Sequence, residues 1–241
     1  MKLPAIEGII RRRILVNYRV APDVVQRLLP ARFRPKLHGG FAIAGICLIR
    51  LEHIRPRGWP AFLGMNSENA AHRIAVTWEE ESGKSREGVY VPRRDTDARL
   101  NQLAGGRLFP GEQHAAKFTV TDNLKTFDFA MRSADGVVSV GVRGGAGDQW
   151  PASSGFASLT EASAFFEPGS LGYSATRSGV RLDGMELRTK TWRVEPLIVE
   201  RVHSSYFADE RQFPKGSVQF DCGLLMRDIE HEWHSSPELA A

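Results

Sequence analysis

Only seven of the 32 basic residues in this 241-residue chain are lysines, which leaves 25 arginines, so a lysine in an apolar setting is informative. Lys117 heads the run Lys117-Phe118-Thr119-Val120-Thr121, with Thr119 and Thr121 on its own face of a strand. Turned into the interior of a small barrel, it would be desolvated and its pKa would fall. A neutral amine of that kind attacks carbonyls and forms Schiff bases. On a wet strand face it would be an ordinary solvated cation. A second group is the triplet Arg11-Arg12-Arg13, set among Ile9, Ile10, Ile14, Leu15 and Val16. In a strand Arg11 and Arg13 share one face and Arg12 takes the other. Some guanidinium groups in such surroundings need a buried anionic partner, and Glu68 is a candidate, with a surface loop carboxylate as the alternative reading of it.

Other chemical signatures dissolve on inspection. Gly83-Lys84-Ser85 ends like a phosphate-binding loop, but Trp78 stands where the first glycine belongs. Gly145-Ala146-Gly147 would need its third glycine at Trp150, so it reads as a turn. There is no Gly-x-Ser-x-Gly elbow. Cys47, in Ile46-Cys47-Leu48-Ile49, has no local partner and reads as a buried structural thiol rather than a nucleophile. The ending Asp228-Ile229-Glu230-His231-Glu232-Trp233-His234 is rich in ligand types but lacks zinc-site spacing, and it reads as a solvated polar terminus. No metal or other cofactor is expected.

The elements that must position these residues are mostly strands. Ile9–Arg19, Phe41–Ile54, His72–Glu80, Gly88–Pro92, Ala116–Asp122, Thr126–Arg132, Gly136–Val142, Met185–Val194, Leu197–Ser204 and Ser217–Asp228 are rich in Val, Ile, Phe, Trp and Thr. Asp135-Gly136 predicts a hairpin turn. Three helices are expected. One is Ala21–Leu29, between Pro22 and Pro30; another is Thr96–Ala104, after Asp95; the third is Ser158–Phe166, with a Ser158/Glu161 capping box. Hydrophobic residues at 42% and charged residues at 25% exclude a disordered chain. No apolar run reaches the roughly 18 residues of a spanning helix, so no membrane partner is expected. The net charge of +4 is carried by scattered arginines, which argues against nucleic acid. Met1-Lys2-Leu3-Pro4-Ala5 lacks a signal-peptide pattern and two cysteines make no disulfide scaffold, so a cytoplasmic protein is expected. No repeat or linker divides residues 1–241, and a single α+β, mainly β domain follows, antiparallel, with a few short peripheral helices.

The stretch from Arg11 through Tyr18-Arg19-Val20-Ala21-Pro22 to Leu28-Leu29-Pro30 resembles the opening of the acetoacetate decarboxylase-like superfamily. Leu63-Gly64 followed by Glu68 is similar to the family's glutamate-bearing loop, and Gly106-Arg107 to the Gly-Arg that precedes its lysine pair. Gly88-Val89-Tyr90-Val91, Phe213-Pro214 with Gly216-Ser217, and Leu224–Ile229 resemble in particular the bacterial domain of unknown function family 2071. The resemblance implies a cone-shaped antiparallel β-barrel with a central pocket for a small oxo acid or related carboxylate. In the family an arginine and a glutamate flank the substrate and a lysine, tuned by a second one, forms the Schiff base. Arg11 and Glu68 match the first two roles. Counted without a gap, His114 and Ala115 fall at the lysine pair, and a shift of two or three residues brings in Lys117. Leu108 replaces the acidic residue after Gly-Arg. Two functions are therefore implied. One is a lyase-type enzyme, with Arg11 holding the carboxylate, Glu68 moving protons, and Lys117 as amine or His114 as base. The other is a non-catalytic small-molecule binder that has lost the lysine pair. A homo-oligomer is compatible with either.

Overall fold

The computed structural model describes residues 5–98 and 111–241. Its organising element is β1 (Ile6–Val20), which pairs antiparallel with β13 (Val218–Ala240) on one side and with β4 (Phe41–Pro56) on the other. β4 continues to β5 (Met65–Glu79), and β5 to β6 (Ser85–Thr96). These five strands form a spine that is extended in two ways. From β6 one path runs through β7 (Gln113–Asp122), β8 (Thr126–Ser133), β9 (Ser139–Ala146) and β12 (Glu195–Ser204) back to β13. The other runs from β6 through β10 (Leu171–Ala175) and β11 (Arg181–Thr189) to the far half of β13. Both hydrogen-bonded paths close on themselves. The short β2 (Arg34–Pro35) and β3 (Leu37–His38) edge β5 and β4.

The sheet is mixed, which corrects the expectation of a purely antiparallel one. β6 pairs parallel with both β7 and β10. Neither neighbour is joined to β6 by a hairpin, so no turn forces the strands to run in opposite directions. At Gly88 of β6 a Cβ would lie 2.3 Å from the Leu171 carbonyl oxygen, so the absence of a side chain lets the chain beside β10 come close.

Because the spine has protein on both sides, its strands carry two apolar faces. Ile14, Val16 and Tyr18 of β1 pack with Phe127, Phe129 and Met131 of β8 and with Val138, Val140 and Val142. Ile10 and Leu15 pack on the other side with Ile43, Cys47, Ile49, Leu224, Met226 and Phe166. This explains the nearly continuous apolar run in β4.

Two helices are present among the described residues. α1 (Pro22–Leu28) starts on proline and buries Val24 and Val25. α2 (Leu159–Phe166) is capped by Ser158, whose hydroxyl accepts from the Glu161 amide, and it buries Ala162 and Phe166. Thr96, expected to open a helix, ends β6 instead, and residues 99–110 of that segment lie outside the described residues. The expected solvated tail is also corrected. β13 runs on past Asp228 to Ala240, held between β1 and β11. No helix among the described residues is long and apolar enough to cross a membrane.

His72 of β5 is fully buried against Tyr206 and Phe207, and neither ring nitrogen has a partner. Burial, and then the charge of Arg93, push its pKa down to about 3. A folded-state pKa below the unfolded value near 6.5 means that the unfolded chain binds more protons between the two. The stability contributed by the neutral ring is complete above that range and is lost as pH falls. Between pH 7 and 5 His72 is expected to cost the fold about 2 kcal/mol. Denaturant unfolding at both pH values should show a shallower dependence in His72→Phe, and an unchanged slope would contradict the neutral buried ring.

Candidate functional site

The three arginines of β1 have separate fates. A register shift relative to β4 between Ile10 and Arg12 makes Arg11 a bulge residue. Its side chain is 46% exposed and lies 2.9 Å from Glu52 and 2.5 Å from Asp228. Arg11, expected to hold a substrate carboxylate, is thus a surface ion-pair residue. Arg12 is the buried member of the triplet. Its guanidinium donates to Glu68 at 2.7 Å and lies 3.4 Å from Asp122. Asp122 is also held by Arg227 at 2.9 Å, and Arg50 approaches Glu68 at 3.9 Å. Burial raises the Glu68 pKa against the pull of Arg12. The anticipated arginine–glutamate partnership exists, with Arg12 as its arginine.

Lys117 is exposed on β7. Phe118 and Val120 pack toward the first core, with Phe118 edge-on to Phe129 at 5.8 Å, so alternation turns Lys117, Thr119 and Thr121 outward. His114 is half-buried, with Nδ1 3.5 Å from Asp135.

None of Arg11, Glu68, His114 and Lys117 lines a cavity of about 130 Å³ on the second side of the spine. Its apolar wall includes Ile49, Leu51, Val91, Met185, Leu187 and Trp233, and Arg13, Arg73 and Arg94 supply its cations. Each guanidinium comes from a different spine strand and each is held by a neutral group. Arg13 Nε donates to the Cys47 sulfur at 3.3 Å. Arg73, 5% exposed, donates to Asn17 Oδ1 and lies over the Phe166 ring at 4.9 Å, and its Nε is buried without a partner. Arg94 Nε donates to Ser174 Oγ at 3.3 Å. Burial pushes the pKa of Arg73 and of Arg94 down to about 10, so both are charged at neutral pH.

Carboxylates near this cluster are engaged elsewhere. Asp95, on the cavity wall, is gripped by Arg93 at 2.9 Å. Glu87 lines an adjoining recess of about 30 Å³ with Arg13 and Arg73, and it pairs with Lys36 at 2.7 Å. Among the described residues no carboxylate pairs with Arg13, Arg73 or Arg94, and residues 1–4 and 99–110 contain no Asp or Glu. Three buried or half-buried cations thus surround an apolar void with no carboxylate of the chain paired to them. Sequence reading missed Arg73 and Arg94 because each stands in a strand far from the triplet. Among the described residues, no group of three His, Cys, Asp or Glu side chains is placed to hold a metal ion.

The fold is that of the acetoacetate decarboxylase-like proteins. An acetoacetate decarboxylase-like enzyme from Sphingomonas wittichii RW1 superposes with a TM-score of 0.60 at 15% identity, covering 100% of this chain and 94% of that one. Acetoacetate decarboxylase from Legionella pneumophila superposes with a TM-score of 0.59 at 13% identity, covering 98% and 88%. The enduracididine biosynthesis enzyme MppR, in a structure complexed with pyruvate, gives 0.58 at 15%, covering 100% and 91%. Identities this low concern the fold alone. No curated protein sequence matches the chain. Residues 10–220 match the family DUF2071, described as an uncharacterized conserved protein (COG2071), and the chain belongs to that family.

The two ion-pair systems of β1 should differ sharply in their effect on stability. Glu68→Ala leaves Arg12 buried with Asp122 alone and should cost about 3 kcal/mol. Arg11→Ala, at the surface, should stay within about 1 kcal/mol. Equal losses in denaturant unfolding would contradict the assignment of Arg12–Glu68 as the buried pair.

Proposed function

We propose that this protein binds a small organic carboxylate, of the size of a short oxo acid, in the Arg13–Arg73–Arg94 cavity. The observation that carries the reading is three guanidinium groups around one void with no carboxylate of the chain to neutralise them. An organic acid fits better than a bare inorganic anion because most of the wall is hydrocarbon. The volume is close to the roughly 150 Å³ that accommodates benzene, which sets the ligand at about six non-hydrogen atoms. The pyruvate complex of a protein with the same fold supports the ligand class.

In this reading the ligand carboxylate accepts charge-assisted hydrogen bonds from the guanidinium groups, while Ile49, Leu51, Val91 and Leu187 cover its carbon chain. A Schiff base would need an amine in the cavity. Among the described residues no lysine lines the cavity, and Lys117 faces solvent. Recognition of the carboxylate is therefore assigned to arginines, and amine catalysis of the decarboxylase kind to no described residue of this cavity. The two closed strand circuits are read as the cone-shaped barrel that encloses it, formed by one domain over residues 1–241.

Calorimetric titration with acetate, pyruvate, 2-oxobutanoate and acetoacetate, beside their amides, tests the reading. At least one acid should bind, with its amide weaker by about tenfold or more. Arg73→Gln and Arg94→Gln, shown to be folded by near-UV circular dichroism, should each weaken that acid by a similar factor. Equal binding of acid and amide, or no binding of any acid to the folded protein, would overturn it.

A further inference from the structure

The two cysteines occupy different places in the fold. Cys222 is fully buried, beside Asn17 and next to Asp221, and burial reinforced by the Asp221 charge raises its pKa far above that of a free thiol. Cys47 lies on β4 among the residues that line the cavity. It accepts the Arg13 Nε hydrogen bond at 3.3 Å and is an electrostatic neighbour of both Arg73 and Arg94. The cavity therefore brings together three cations, one thiol and an apolar wall, and one of those cations, Arg73, has a buried Nε with no partner.

We propose that Cys47 is the nucleophile of this cavity and adds reversibly to the carbonyl carbon of a 2-oxo acid held by Arg13, Arg73 and Arg94. The proposal rests on the carboxylate reading above. It follows from where the sulfur stands. A carboxylate bonded to Arg13 sits next to Cys47, so the carbon within reach is the one adjoining the carboxylate. In a 2-oxo acid that carbon is the electrophilic ketone. The thiolate is the attacking form, and the Arg13 guanidinium stands 3.3 Å from the sulfur. In the step, the thiol proton leaves sulfur and the sulfur–carbon bond forms. The carbonyl π pair moves onto oxygen, and that oxygen takes up a proton. The net change is addition of S–H across C=O to give a hemithioketal, with no leaving group and no change of oxidation state. The alkoxide passes through its charged stage beside guanidinium donors, the arrangement that stabilises developing oxyanions.

Iodoacetate carries its electrophilic carbon in the same place, next to a carboxylate, and iodoacetamide is its neutral counterpart. Peptide mass analysis of the folded protein should find Cys47 alkylated faster by iodoacetate than by iodoacetamide, by about tenfold or more. Cys222 should stay unmodified, which also certifies the fold. Pyruvate should protect Cys47, and carbon-13 NMR of pyruvate labelled at C2 should show a tetrahedral resonance with the wild type that is absent with Cys47→Ser. Equal rates for the two reagents together with no tetrahedral resonance would overturn the nucleophile. If titration of the wild type shows that 2-oxo acids bind all the same, the carboxylate reading survives that result. If none binds, both fail together.

Discussion

Burial of the spine on both faces is the constraint on which the rest of this structure depends. β1, β4, β5, β6 and β13 are shared by two closed paths of strands, so neither face of the spine is simply its outside. Every side chain of β1 between Arg12 and Tyr18 must therefore suit one interior or the other. Arg12 and Arg13 are adjacent in sequence and fall to opposite sides. The first meets Glu68 and Asp122 and becomes part of a closed network of ions. The second meets a thiol, a thioether and two more arginines. Guanidinium groups keep their proton at neutral pH, so the second interior cannot relieve its charge by titration. It needs an anion from outside the chain or water at the mouth of the cavity. One strand thus carries a closed ion network and a cationic cavity wall back to back.

What was legible in the sequence divides along the same line. Strands whose residues alternate or run apolar could be read locally, as could the Asp135-Gly136 hairpin and the Ser158–Glu161 cap of α2. The first half of β5 was not legible, because Asn66, Ser67, Glu68 and Asn69 look like a loop. They form a strand because Glu68 has Arg12 across the interior and Asn69 bonds the Ser67 hydroxyl. The last third of β13 was obscured by its own charges, and its ladder partners in β11 lie some fifty residues earlier in the chain. The parallel pairings of β6 are long-range contacts that no turn residue announces.

The site obeyed the same logic. Arginines beside isoleucines pointed to a buried acid, and Glu68 was a candidate both by that argument and by the family resemblance. Which arginine it served depended on a bulge, and a bulge is fixed by ladder register with β4 rather than by the residues 9–13 themselves. Arg73 and Arg94 were invisible because their meaning is relational. Each is an ordinary strand arginine until β5 and β6 are curved around the void that Arg13 also enters.

An interior lined by strands admits a functional group wherever alternation points a side chain inward, so the position of a nucleophile is not tied to one strand. On β7 the inward places are taken by Phe118 and Val120, which the first core requires, and Lys117 is left in solvent. Moving it inward would take a shift of one residue along the whole strand, which would bring the apolar set out with it. The cavity instead holds a cysteine on β4, next to the cations that would recognise a carboxylate. The exchange of groups changes the chemistry in kind. An amine condenses with a ketone by losing water and then draws electrons from the carbon chain, whereas a thiol adds without loss and leaves the chain's electrons in place. On the proposal above, the cavity would hold an oxo acid in a covalent but reversible form.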